Sequence, residues 1–208
     1  QPQASLTVID QSTGEVKAIV GGRGDKTASK TLNRATDTTR QPGSTFKILA
    51  SYSAALDAGG LTLASVQDDA PYTYAGANGK SVSNYDKRYR GFTTLREAIT
   101  DSINIVTVKT LAQVGVSLGW QYVQEYGFTT VDSRDMNEAL ALGGITQGVS
   151  NLELTAAYAA IANQGTYIKP KFYTKILDHD GNVLIDNTTP ESHTVIKDTT
   201  AWLLTCLL

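Results

Sequence analysis

One cysteine among 208 residues, Cys206, excludes an internal disulfide. It lies in the apolar run "AWLLTCLL", a setting that suits a buried thiol better than a reactive one. No window approaches the ~20 apolar residues that span a bilayer, and the polar opening "QPQAS" does not read as a signal peptide. Neither sign of charge dominates: 18 Lys and Arg against 20 Asp and Glu leave a formal net charge of −2, scattered along the chain. That gives no electrostatic footprint for nucleic acid and no polybasic patch for a membrane surface. Internal repeats and low-complexity tracts are missing too. What is present is a globular composition, 41% hydrophobic, able to bury a sizeable core in one or two domains.

The opening "ASLTVIDQSTGEVKAIVGG" alternates around a Ser-Thr-Gly-Glu turn, so Ala4 to Asp10 and Glu15 to Val20 read as a β-hairpin. Farther on, "STFKILASYSAALDAGG" carries Phe46, Leu49, Ala50 and Leu56 at helical spacing and stops at Gly59 and Gly60. Residues Asp68 to Thr94, rich in Gly, Asn, Tyr and basic side chains without periodicity, read as long surface loops of the kind that carry function. Helical patterns return in "TLREAITDS", "NIVTVKTLAQVG" and "LGWQYVQEYGF", and again in "SNLELTAAYAAIANQG", where Ser150 and Glu153 have capping-box spacing. A second hairpin, "FYTKILDHDGNVLID", turns at Asp180-Gly181.

These patterns divide the chain into a first sheet hairpin (1–35), a helical region (36–165), and a hairpin followed by the start of a further helix (166–208). The final "TTAWLLTCLL" has no glycine, basic last turn or polar tail, and a lone two-stranded sheet is marginal in water. The expectation is that more strands of the same domain belong after residue 208.

One local misfit stands out. In "RQPGSTFKILASYSAAL" a lysine, Lys47, sits one turn after Ser44, behind a Pro-Gly pair and at the head of an otherwise apolar helix. Serine is a weak nucleophile until a base takes its proton, and a base one turn away on the same face is within reach. Lysine serves only if its pKa falls from ~10.4 toward neutrality, about 4 kcal/mol of desolvation or neighbouring positive charge. A helix committed to the core supplies the desolvation. Gly43 allows a sharp turn, and Ser44 then sits where backbone N–H groups and the positive helix end favour a developing oxyanion.

Ser-x-x-Lys alone recurs by chance, so its setting matters. A second pattern, "DSINIVTVK", places Ser102 and Asn104 on either side of Ile103 at a break between two helical segments. Either the two polar side chains aim into one cleft, or one of them merely caps the following helix.

Together these segments resemble the penicillin-binding proteins, specifically the transpeptidase domain of the class A, bifunctional type. The resemblance runs along nearly the whole chain, through "LTVIDQSTGEVKAIVGG", "NRAT", "RQPGSTFK", "NYDKRYRGFTTLREAITDSINIVTVK", "ALGGITQGVSNLELTAAYAAIANQGTYIKP" and "DHDGNVLID". It implies an α/β (α+β) fold of β-lactamase/transpeptidase type, an antiparallel sheet with an all-helical subdomain, of which this chain carries the N-terminal strands. It also implies that Ser44 attacks the terminal D-Ala-D-Ala bond of a peptidoglycan stem peptide with Lys47 as base. Ser102 would relay a proton to the leaving nitrogen, and Asn104 would hold the substrate backbone and help position Lys47. An acceptor stem peptide's amine then completes a crosslink, and β-lactam antibiotics acylate Ser44. No metal or organic cofactor is needed. The family places this chemistry on the extracytoplasmic face of a bacterial plasma membrane, here anchored through a segment outside the chain.

One departure is large. Family members carry Lys-Thr-Gly or Lys-Ser-Gly on a later strand, and no such triplet occurs in residues 1–208. The reading is therefore of a domain cut before that motif, with the C-terminal remainder supplying it, whether from the same polypeptide or as a separate chain. Residues 1–208 alone should then be nearly inactive. A serine β-lactamase is the nearest enzymatic alternative, although the Glu-x-x-Leu-Asn string of class A β-lactamases is missing. A non-enzymatic β-lactam sensor is the other.

Overall fold

The computed structural model describes residues 2–26, 28–75 and 79–208. Strands β1 (Leu6–Ile9) and β2 (Val16–Val20) form the expected antiparallel hairpin, Leu6 opposite Val20. Its two faces differ, as a period of two requires. Thr7 Oγ1 donates to Asn151 Oδ1 over 2.7 Å, whereas Leu6, Val8 and Val20 are about half exposed on a face that no other strand or helix of the described residues covers.

After the short strand β3 (Thr39–Arg40), the segment expected as one regular helix is wound in three ways. It comprises a 3-10 turn at Gly43–Thr45, a π-helical stretch at Ile48–Tyr52, and α1 (Ser53–Asp57). Phe46, Leu49 and Ala50 are nevertheless fully buried, as the spacing predicts, and Leu56 is partly buried against the same core. Widened π turns recur at functional sites. Polar cross-links secure this one: Ser51 Oγ donates to Thr107 O over 2.8 Å, and Ser53 Oγ lies 2.9 Å from Tyr126 Oη.

The stretch read as surface loops is instead partly built into the body. Strand β4 (Val66–Asp69) pairs with β7 (Gly91–Thr94), and β5 (Tyr72–Thr73) with β6 (Ser81–Val82). Asp69 is fully buried and Asn84 nearly so. Sequence periodicity misses them because their burial is polar: the two side chains satisfy one another (Asn84 Nδ2 to Asp69 Oδ1, 2.8 Å), with no alternation of apolar residues to advertise it. Residues 76–78 of the Tyr72–Tyr89 loop lie outside the described residues.

The helices follow. α2 (Leu95–Thr100) starts at a Thr94/Glu97 capping box, and α3 (Asn104–Val114) and α4 (Val116–Glu125) are separated by Gly115. Strand β8 (Val149–Ser150) pairs with β3 and leads into α5 (Asn151–Ala162), where the Ser150/Glu153 capping box forms as the sequence indicates. Strand β9 (Thr166–Ile168) pairs with β12 (Ser192–Thr194), and between them β10 (Lys175–Leu177) and β11 (Val183–Asp186) make the second hairpin. One core joins Phe46 and Leu49 to Leu95, Ile105, Leu111, Leu140 and Ile145.

Helix α6 (Asp198–Thr205) corrects the expectation for Cys206. The helix buries Thr200, Ala201 and Leu204, while Trp202 and Cys206 are exposed. Position 206 lies about 200° around the axis from Leu204, so the run is apolar on all sides but buried on one.

Candidate active site

The polypeptide reaches Ser44 through Gly43, whose φ of +58° only glycine adopts freely. Ser44 is exposed, in the middle of the 3-10 turn. The turn is clamped from two other parts of the chain. Gln41 Nε2 donates to Ile145 O over 2.8 Å, and Tyr158 Oη donates to Thr45 O over 2.6 Å. Gly143 (φ +71°) sits so close that a Cβ there would lie 2.6 Å from Gly43 O and 2.7 Å from Gly43 N. The "ALGG" segment thus shapes the serine's turn, a role that sequence reading alone did not assign to it.

Lys47 follows directly and is only 3% exposed. Its Nζ donates to Ser102 O (2.6 Å), Ser102 Oγ (2.8 Å) and Asn104 Oδ1 (2.6 Å). Burial pushes its pKa down from 10.5 to about 8. No carboxylate lies within ion-pairing distance of it among the described residues. The three acceptors match the three N–H groups of an ammonium. Once the proton is lost, the Ser102 hydroxyl can turn and donate to the amine, so either protonation state finds partners.

Ser102 closes α2 in a left-handed conformation, φ +52°, where glycine is usual. The N–H of Ile103 reaches back to Ala98 O (2.9 Å) and that of Ser102 to Ile99 O (3.1 Å). This finish points the Ser102 carbonyl and hydroxyl at Lys47. Asn104 opens α3, and its Nδ2 donates to Ser83 O (2.9 Å), which leaves Oδ1 facing the amine. Neither Ser102 nor Asn104 caps α3 with its side chain. Asn84 does so from 20 residues upstream, its Oδ1 accepting from the N–H groups of Asn104 (3.0 Å) and Ile105 (3.2 Å).

All four residues singled out from the sequence therefore meet. Ser44, Lys47 and Ser102 line a cavity of about 380 Å³ with Tyr52, Ile99 and Tyr158. A second hollow of about 630 Å³ is bordered by Ser44, Ser102 and Asn104 together with Ser83, Tyr85 and Asp101. Tyr85, almost fully exposed, borders the site together with Ser83 of the same Tyr-rich loop, whereas Tyr72 turns away and donates to Glu138 Oε1 over 2.9 Å. No hydrogen bond joins Ser44 to Lys47 among the described residues; what they share is the cavity wall. An exposed serine in a tight turn beside a desolvated amine that in turn meets a second hydroxyl, Ser102 Oγ, is an arrangement suited to acyl transfer.

The model of the penicillin binding protein transpeptidase domain matches residues 4–208. Penicillin-binding protein 1F of Bacillus subtilis is 40% identical over 206 residues, covering 99% of this chain and 28% of that protein. The crystal structure of penicillin-binding protein 1A from Haemophilus influenzae superposes with a TM-score of 0.77 at 31% identity, over 92% of this chain and 28% of that one. That of PonA1 from Mycobacterium tuberculosis in complex with penicillin V gives 0.81 at 23% identity, over 99% and 55%, a likeness of fold. The chain spans less than a third of the length of the curated relatives it matches.

Proposed function

The chain belongs to the penicillin-binding protein transpeptidase family, of the class A type, and from that premise we propose that its site forms peptide crosslinks in peptidoglycan through a serine acyl-enzyme. Ser44 Oγ attacks the carbonyl of the D-Ala-D-Ala bond in a donor stem peptide, and its proton passes to the uncharged amine of Lys47. The tetrahedral intermediate collapses as Ser102 hands its proton to the departing nitrogen and takes one from the Lys47 ammonium, releasing D-alanine. The amine of an acceptor peptide then adds to the ester, loses its proton by the same route in reverse, and leaves a new amide bond and free Ser44. Asn104 holds the donor backbone with its amide and keeps Lys47 in place.

The observation that carries this reading is the buried Lys47 amine, held by Ser102 and Asn104 on the wall of the cavity that Ser44 shares. An amine with pKa about 8 is free of its proton in roughly a tenth of molecules at pH 7. That fraction sustains general-base catalysis. β-Lactams, as mimics of the dipeptide, acylate the same hydroxyl.

Substrate carboxylate binding and the second oxyanion donor belong, on this reading, to a Lys-Thr-Gly strand from the C-terminal remainder of the domain, in the same polypeptide or a separate chain. The half-exposed apolar face of the β1–β2 hairpin fits a further layer of the same domain packing over it. Without that strand, residues 1–208 have little activity, since losing one oxyanion donor already costs about 100- to 1,000-fold. The site would work on the extracytoplasmic face of the bacterial membrane, with the anchor elsewhere; no described helix is long and apolar enough to cross a membrane.

The test is labelling of the whole protein with fluorescent penicillin beside Ser44→Ala. A long-lived adduct on wild type and none on the variant supports the proposal. Equal labelling of both removes Ser44 from the mechanism, and rapid turnover of the drug makes the protein a β-lactamase instead.

A further inference from the structure

The Ser102–Asn104 junction holds Lys47, yet it is a break between helices, with a left-handed serine and no capping side chain of its own. Its position must be set from outside. The residues that set it are on the segment first read as surface loop.

Asn84 is 3% exposed and spends its amide in two directions. Its Oδ1 accepts from the N–H groups of Asn104 and Ile105, two of the four donors that the start of α3 leaves without helical partners. Its Nδ2 donates to both carboxylate oxygens of Asp69 (2.8 and 3.0 Å) and to Arg88 O (2.8 Å). Asp69, fully buried at the end of β4, also accepts from the Arg90 N–H over 2.9 Å. An ionised carboxylate can only accept, so it obliges Asn84 to turn its NH₂ toward β4 and its oxygen toward α3. The neighbouring Ser83 carbonyl fixes the Asn104 amide the same way round. One short segment, Ser83-Asn84, thereby orients both the backbone of the junction and the side chain that meets Lys47.

We propose that Asp69 and Asn84 are a positioning pair for the acyl-transfer reaction, locking the Ser102–Asn104 junction in register with Lys47. Neither touches the reacting atoms. The charged groups around the pair are Arg90, 3.9 Å from Asp69, and Asp86 and Asp101, which Arg90 meets at 3.0 and 3.7 Å. None of these reaches Lys47. This inference rests on the function proposed above, and its test separates the two.

In the whole protein, the second-order rate of acylation by fluorescent penicillin is followed against pH for wild type, Asn84→Asp, Asp69→Asn, the double variant and Ser44→Ala. Asn84→Asp sets two carboxylates face to face and removes the donor. It should slow acylation about 100-fold, the scale of a misplaced catalytic group, and move the midpoint of the rising pH limb upward as the loosened junction admits water to Lys47. Adding Asp69→Asn removes the facing pair of carboxylates: the carboxylate now at position 84 would accept from α3 and from the amide now at position 69, while Arg88 O, which met Asn84 Nδ2, would be left without that donor. The double variant should therefore recover part of the lost rate and bring the midpoint back toward the wild-type value, a rescue that also shows the loss was not a failure to fold. Wild-type rate and midpoint in Asn84→Asp would overturn the positioning role, and so would a double variant no better than Asn84→Asp. Unchanged labelling of Ser44→Ala would instead overturn the acyl-enzyme reading itself.

Discussion

Lys47 and Asn104, 57 positions apart in the chain, meet across the site with Nζ 2.6 Å from Oδ1. The contact joins the turn that carries Ser44 to the start of α3, and it does so with an amide oxygen in place of a carboxylate. That choice matters electrostatically. A carboxylate partner would hold the lysine in its ammonium form, whereas neutral acceptors let burial keep it near the point of losing its proton.

Replacing Lys47 separates charge from basicity. Lys47→Arg keeps a cation of similar reach that cannot act as a base. Acylation by penicillin should fall about 100- to 10,000-fold, the range general-base catalysis contributes. Stopped-flow labelling measures it, and near-wild-type rates would show that the proton goes elsewhere.

Burial of Lys47 also carries a stability signature whose sign is set by linkage. Its pKa is about 8 folded and 10.5 when free of the fold. Below pH 8 both states hold the proton and the burial penalty is fully present. Between the two values the unfolded chain binds a proton that the folded chain has released, so stability rises with pH there. Relative to Lys47→Met, wild type should gain about 2 to 3 kcal/mol across that window. Buried Tyr52 and Tyr126, whose pKa values burial raises, act in the opposite sense above about pH 10 and are common to both proteins. Urea titrations at successive pH values would show the difference as a rising curve; a flat one would mean that the amine is solvated.

The turn around Ser44 can be disturbed from a distance. At Gly143 a methyl group would fall inside contact distance of the Gly43 backbone, at a φ that disfavours any side chain. Gly143→Ala should cost about 2 kcal/mol or more in stability and slow acylation by about 100-fold. Thermal melts and labelling rates together check this, and a variant that melts and labels like wild type would remove the clamp from the account.

Capping serves as a contrast. Ser150→Ala breaks the reciprocal bonds with Glu153 at the head of α5. It should lower stability by about 1 kcal/mol while leaving acylation within a factor of about two. Calorimetry beside labelling distinguishes the two effects.

The legible parts of this molecule are those where one local rule suffices. Alternation revealed β1, β2 and the β10–β11 hairpin, and Ser150 with Glu153 announced the start of α5. That Ser44, Lys47, Ser102 and Asn104 come together was legible in a cation and a polar-apolar-polar break that violate the patterns around them, joined to the family resemblance of their segments. The winding of residues 43–57 into 3-10, π and α turns was not readable, since apolar spacing places Phe46 and Leu49 inward under any of the three. Asp69 and Asn84 escaped notice for a different reason. Their partnership spans 15 positions and buries polar atoms, so neither hydrophobic periodicity nor a short motif records it. Cys206 shows the converse error, an apolar run taken as evidence of burial when only one side of α6 packs.

The central claim is that the hydroxyl of Ser44 is activated by the unprotonated amine of Lys47. Its most direct measurement is the pH dependence of the rate at which penicillin acylates Ser44 in the whole protein, with the adduct located by peptide mass spectrometry. Activation by the unprotonated amine predicts a single rising limb with its midpoint at about pH 8, abolished in Lys47→Arg. A limb centred near 10.5, the ordinary lysine value, or one that survives in Lys47→Arg, would contradict it.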